Sequence, residues 1–215
     1  MTTSTGLRQR KKQQTRQLLA DTARRLFAER GFENVSVSEI ARVADVSEAT
    51  VFNYFPTKED LVFSGLELFE SALLAAVGDR PKGETVIDAF GQFILAPRGF
   101  FAAPDERSAR EVLDVGRMIA ASPALLAREE QILARYTRAL ARLIADEVGA
   151  PEGDLRPYVT ANALIGVHRA LIEYVREQLQ NEPPDRERLS RDLRRRGQTA
   201  LELLRRGIGD YAPKR

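Results

Sequence analysis

The sequence predicts an all-α chain: an N-terminal head of three short helices, then a larger helical bundle, about nine helices in all. Three observations predict it. Apolar residues recur three and four positions apart along most of the 215 residues. No segment sustains the alternation of a strand. Capping residues punctuate the first third, two of them followed three positions later by an acid.

The first helix spans residues 15–30, where Leu19, Ala23, Leu26 and Phe27 make one apolar face and Gly31 is placed to end it in the left-handed conformation. Phe32 closes the small core behind it. Ser36 with Glu39 forms a capping box that starts a second helix at Val37, whose Ile40, Ala41 and Ala44 keep the helical period. Asp45-Val46-Ser47 is a turn, because Asp tolerates a left-handed backbone better than most residues and Ser47 can cap the next helix. A third helix begins near Glu48. Val51 and Phe55 face inward on it, Thr50, Asn53 and Tyr54 face outward, and Pro56 ends it. Thr57 with Asp60 caps a fourth helix expected from Lys58 to about Val77, carrying Leu61, Leu66, Phe69, Leu73 and Leu74. Two helices as short as the second and third are marginal alone and need the first to pack on. Together they have the grammar of a helix-turn-helix DNA reader.

After a break at 78–83, further helices are expected at 84–95, 105–120, 123–148, 155–180 and 185–206, with an irregular stretch at 96–104. Ser122 and Pro123 supply a cap and a first helical residue. The last two helices carry more apolar surface than one buried stripe needs: Ala161, Leu164, Ile165, Ala170, Leu171, Tyr174 and Val175 on one, Leu189, Leu193, Ala200, Leu203 and Leu204 on the other. That excess predicts a homodimer through those helices. The arginines at 194–196, 205 and 206 alternate with acids and read as a solvated face.

Composition narrows the function classes. A net charge of +2 gives the chain as a whole no strong attraction for DNA, so affinity must come from where charge sits. Arg8, Arg10, Lys11, Lys12 and Arg16 fall among the first twenty residues, which contain no acid. The part before Arg10 is expected as a solvated tail that orders on DNA. No cysteine is present, which removes disulfides and zinc–thiolate sites. No apolar run reaches a membrane span or a signal peptide, so a soluble cytoplasmic protein is expected. With one histidine, no Glu-x-x-His pair and no phosphate-cradling glycine loop, no enzyme, metal site or cofactor is expected.

Residues from about Thr15 to Leu61 resemble the DNA-binding domain of the TetR family of bacterial transcriptional regulators. The resemblance rests on Phe27 to Phe32, on Ser36 to Ala41, and on Phe52 to Leu61, in matching order and separation. Three positions depart from the family pattern: Asp45 replaces a usual glycine, Phe52 a tyrosine and Tyr54 a histidine. The resemblance implies residues 1–60 as a DNA-binding domain and 61–215 as a ligand-binding and dimerisation domain. It also implies a homodimer presenting two recognition helices to a double-stranded palindromic operator.

On the third helix, Thr50 and Asn53 are expected to reach base edges, with Glu48 and Ala49 also facing the groove. Ser36, Tyr54, Thr57 and Lys58 are expected at phosphates, and Arg42 either there or as a plain surface charge. Residues 117–176 resemble the ligand domain of the mycofactocin-regulator type, which implies a small-molecule effector of acyl-coenzyme A or similar long apolar character. Phe90, Phe93, Ile94, Phe101, Met118, Tyr136, Ile165, His168 and Ile172 are the candidate lining, with Arg117 for an anionic head. Ligand binding that lowers operator affinity would make a releasable repressor. The alternative is a ligand-independent activator or architectural DNA binder.

Overall fold

The computed structural model describes residues 3–97, 102, 105–179 and 185–207. Among these residues ten helices follow one another and there is no strand. They are α1 (Thr3–Arg30), α2 (Val37–Val43), α3 (Glu48–Tyr54), α4 (Lys58–Val62), α5 (Leu66–Gly78), α6 (Val86–Leu95), α7 (Glu106–Ala121), α8 (Pro123–Val148), α9 (Arg156–Leu179) and α10 (Arg186–Arg206). The chain divides into two compact units. One holds the chain up to Leu66 together with Met118–Leu126; the other holds Glu67–Arg117 and the chain from Ala127.

In the first unit α1 packs on α2 and α4, and α2 on α3. Leu19, Ala23, Leu26, Phe27, Phe32, Ile40, Ala41, Val51, Phe55 and Leu61 are all buried, and the Phe27 and Phe32 rings meet at 5.2 Å. Each large side chain contributes about 1.5–3 kcal/mol of burial, which is what holds helices of seven and five residues that propensity alone would not. The caps fall where the sequence puts them. The Ser36 hydroxyl accepts from the Glu39 N–H, Ser47 from Thr50, and Thr57 forms both halves of a box with Asp60. At α2 the Glu39 carboxylate serves another role than closing its box, pairing with Arg30 and, at 3.8 Å, with Arg42.

Asp45 adopts φ +55°, and the Val46 N–H closes the turn onto the Ala41 carbonyl at 3.0 Å. A β-branched residue resists that backbone and glycine does not. Asp45→Val is therefore expected to lower stability in urea unfolding by about 1–2 kcal/mol, and Asp45→Gly not to lower it. Equal losses in both would mean that the turn does not depend on its backbone angle.

Two expected elements differ. The first helix begins twelve residues earlier than its apolar face, at Thr3: the Arg, Lys and Gln residues from Arg8 onward are good helix formers continuous with the anchored part, whereas the first turn through Gly6 is not favoured by propensity. The expected fourth helix is two, α4 and α5, separated by a turn at Phe63–Gly65. Leu61 and Leu66 are five apart, out of phase with one helical face, and Ser64 and Gly65 are poor helix formers at the step between them.

The second unit is tied by α10 packing on α9 and α6. Gly91 and Gly197 are buried, and a Cβ on Gly91 would come 2.7 Å from Leu201 Cδ1, so these glycines let α6 and α10 approach closely. Arg205 bridges Asp88 at 2.6 Å across that contact. The Thr85 hydroxyl, and then Arg205, hold the Asp88 carboxyl below the usual carboxylate range. Arg135 pairs with Glu70 and Arg80 with Glu147, linking α8 to α5 and to the loop after it. Arg176 pairs with Glu129 at 2.8 Å, linking α9 to α8 with both side chains largely buried.

Candidate nucleic-acid interface

The candidate recognition element is α3, seven residues capped by Ser47 and closed by Phe55 in extended backbone. Val51 and Phe55 point into the core. Ala49 and Asn53 lie exposed on the opposite side, Glu48 and Phe52 are exposed at the flank of the inward face, and Thr50 and Tyr54 are half-buried. From behind, the Arg16 guanidinium on α1 donates to the Tyr54 carbonyl at 2.8 Å and lies over the Phe55 ring at 4.4 Å. It fastens the last turn of α3 to α1.

The expected readers separate by what their polar atoms already do. The Asn53 amide is exposed and lies on the outward face with Ala49. The Thr50 hydroxyl is within 2.9 Å of the Ser47 hydroxyl, so the cap engages it. Ser36 accepts from Glu39 N–H and lies 2.9 Å from the Ser38 hydroxyl; Thr57 donates to Asp60 at 3.0 Å. Both hydroxyls therefore serve helix starts. The Lys58 ammonium sits 4.1 Å from the centre of the Phe32 ring, a cation–π contact that holds it at the start of α4. Arg42 is 73% exposed.

Phe52 stands where the family pattern has a tyrosine. It is 46% exposed, next to Asn53, because it follows buried Val51 on a helix whose inward positions are Val51 and Phe55. An apolar ring there can pack on a thymine methyl, which a tyrosine hydroxyl would have turned toward phosphate.

The first unit also takes in the turn between α7 and α8. Ser122 is buried, and its hydroxyl donates to Glu33 at 2.7 Å. The expected cap at Ser122 is thus tied to the loop before α2 as well.

Of the candidate ligand residues, Phe90, Phe93, Tyr136 and Ile165 are buried, and Ile94, His168 and Ile172 half-buried, all in the second unit. Met118 falls in the first unit, Arg117 is exposed and 3.5 Å from Asp114, and Phe101 lies outside the described residues. The organising ring is one outside the expected set. Phe69 on α5 meets Phe93 edge-on at 5.3 Å, stacks on Tyr136 at 5.8 Å and on His168 at 5.4 Å. Period along one helix could not reveal this, since the four rings come from α5, α6, α8 and α9.

On α9, Ala161, Leu164, Ile165 and Leu171 are buried within the chain, so they are not the surplus that the sequence assigned to a dimer. The apolar residues left uncovered are Leu155, Tyr158 and Val159, at 72, 50 and 61% exposure, followed on the same face by exposed Asn162, Gly166 and Ala170.

Comparison with known proteins gives consistent matches for the two parts of the chain. Residues 19–64 match the model of bacterial regulatory proteins of the tetR family, and residues 85–207 match the MftR C-terminal domain. The chain is 33% identical over 159 residues to the HTH-type transcriptional regulator TcmR of Streptomyces glaucescens, covering 71% of this chain and 69% of that one. It is 26% identical over 165 residues to MftR of Mycobacterium tuberculosis, covering 77% and 81%. A SmeT–triclosan complex shares the fold, with a TM-score of 0.54 at 16% identity over 94% of this chain and 96% of that one.

Proposed function

The chain belongs to the TetR family of bacterial regulatory proteins, and from that membership we propose that it is a homodimeric, ligand-released repressor of a palindromic operator. The observation that carries the reading is the outward face of α3, where Ala49, Asn53 and, at the flank, Phe52 are exposed on a helix capped at its start and pinned behind by Arg16. Asn53 pairs with an adenine edge, Phe52, Ala49 and the Thr50 methyl pack on thymine methyls, and Glu48 accepts from a cytosine amine. Tyr54, Lys58, Arg42 and Ser36 set register at phosphates, with Lys58 leaving the Phe32 ring to do so, and Thr57 joins them only by turning its hydroxyl away from Asp60. DNA binding belongs to residues 1–60, ligand binding and dimerisation to residues 61–215.

Two copies associate through α9 and α10. Support comes from the uncovered stripe of α9, where the small residues Gly166 and Ala170 allow a second helix to come close and Leu155, Tyr158 and Val159 supply apolar area. Asn162, between the two groups, offers an amide for a hydrogen bond across the twofold axis.

The effector is a small apolar or acyl-coenzyme A-like molecule, and the Phe69 cluster is its receiver. Because those rings touch one another, entry of an acyl chain requires Phe69 to part from Tyr136 and His168. Only a ligand that prefers the parted arrangement changes DNA affinity. The test is a titration of the protein–operator complex with acyl-coenzyme A esters of graded chain length and with small apolar compounds, read by fluorescence anisotropy. At least one is expected to lower operator affinity about 5- to 150-fold, the usual range of allosteric coupling, with a weaker response in Phe69→Ala. A flat response and no thermal shift across the series would favour a ligand-independent regulator.

A further inference from the structure

The face of α1 that packs on the first unit's core through Leu19, Ala20, Ala23, Leu26 and Phe27 continues past that core toward the N-terminus, and there it turns basic. Arg8, Lys12 and Arg16 stand at i, i+4 and i+8 on one side of the helix, with Lys11 flanking them. Arg16 marks where the stripe begins, since it holds the Tyr54 carbonyl and the Phe55 ring at the far end of α3. From there the helix carries Lys12 and Arg8 outward by about 6 and 12 Å at ~1.5 Å per residue. Arg8, Arg10, Lys11 and Lys12 are exposed, and the first acidic residue in the sequence is Asp21. A solvated helix face on a chain this rich in acids normally interleaves both signs, as α10 does with its Arg195–Asp192 and Arg206–Glu202 pairs. The absence of any acid among the first twenty residues leaves the field of this stripe uncompensated along its own helix.

We propose that this N-terminal extension of α1 is a second DNA-binding surface. Arg8 and Lys12 contact backbone phosphates just outside each half-site, beyond the groove that α3 enters. This rests on the proposed placement of α3 in the major groove. The stripe lies at the end of α3 where Tyr54 meets the backbone, and a groove-bound helix has phosphate strands on its flanks. Lysine and arginine on one helical face supply charge without base-edge geometry, so the contribution is sequence-independent and strongly salt-dependent.

The test compares wild-type protein with the Arg8→Gln/Lys12→Gln variant, on the wild-type-selected duplex carrying ten flanking base pairs on each side and on the same duplex trimmed to its palindrome. Glutamine keeps helix propensity, and circular dichroism and melting temperature of the variant are expected to match wild type. The slope of log affinity against log salt is expected to fall in magnitude by about 0.9 for each phosphate no longer neutralised, about 4 in all for a dimer with four such contacts. Base preference stays unchanged, and trimming the flanks weakens wild type but not the variant. An unchanged slope on the flanked duplex would overturn the inference while leaving the α3 reading intact. So would a change in base preference in the flanks, which would mean readout of bases instead of phosphates. If wild type itself bound no duplex, the proposed function would fail first and the inference with it.

Discussion

Asn53→Ala is expected to lower affinity for the operator by about 1–3 kcal/mol per half-site, roughly 30-fold to 20,000-fold for a dimer deprived of the amide at both half-sites. The amide is exposed on the outward face of α3, so its removal leaves the core of the first unit untouched. That geometry dictates three readouts. Affinity falls, preference relaxes at the one position per half-site that Asn53 reads, and the urea midpoint stays within error because exposed helical substitutions usually shift stability by less than about 0.5 kcal/mol. A uniform drop with base preference intact would make Asn53 a backbone contact and move the reading to its neighbours.

Phe27→Ala has the largest expected effect on stability. The ring is 2% exposed, meets Phe32 at 5.2 Å, and belongs to the core that holds α2, α3 and α4 against α1. Truncating a buried phenylalanine costs about 3–5 kcal/mol, a large part of the roughly 5–15 kcal/mol that a typical domain has. The expected result is a stability to urea lowered by that amount and loss of operator binding at physiological temperature. Phe52→Ala is the control, because the same substitution at a 46% exposed ring is expected to leave the midpoint nearly unchanged while weakening DNA binding. Equal destabilisation by both would contradict the division into inward and outward faces of α3.

The contrast between Phe27 and Phe52 shows what local sequence chemistry carries. Hydroxyl caps at Ser36, Ser47 and Thr57 act over three residues, so they are visible in sequence and appear in the structure where expected. Asp45 in the left-handed turn is legible for the same reason: the requirement is on one backbone angle. The early part of α1 is not, because it has no apolar period to mark it and its helicity comes from propensity and continuity with an anchored segment. The break between α4 and α5 leaves a sign, the five-residue step from Leu61 to Leu66, which the apolar content on either side obscures. What a side chain does for its neighbours is the least legible. Thr57 and Thr50 spend their hydroxyls on caps, Lys58 rests on Phe32, and Phe69 gathers rings from three other helices. Each of these depends on a geometry that spacing along one helix does not encode.

A dimeric sequence reader with α3 in the major groove would be revealed by selecting bound duplexes from a random pool at a fixed salt concentration. The expected result is enrichment of a palindrome whose half-sites lie about one helical turn, ~34–36 Å, or a multiple of it apart. Repeating the selection with Asn53→Ala relaxes one symmetric pair of positions and leaves the rest. Enrichment of no palindrome, or of an asymmetric site whose preferences survive Asn53→Ala unchanged, would contradict a dimeric reader of that kind.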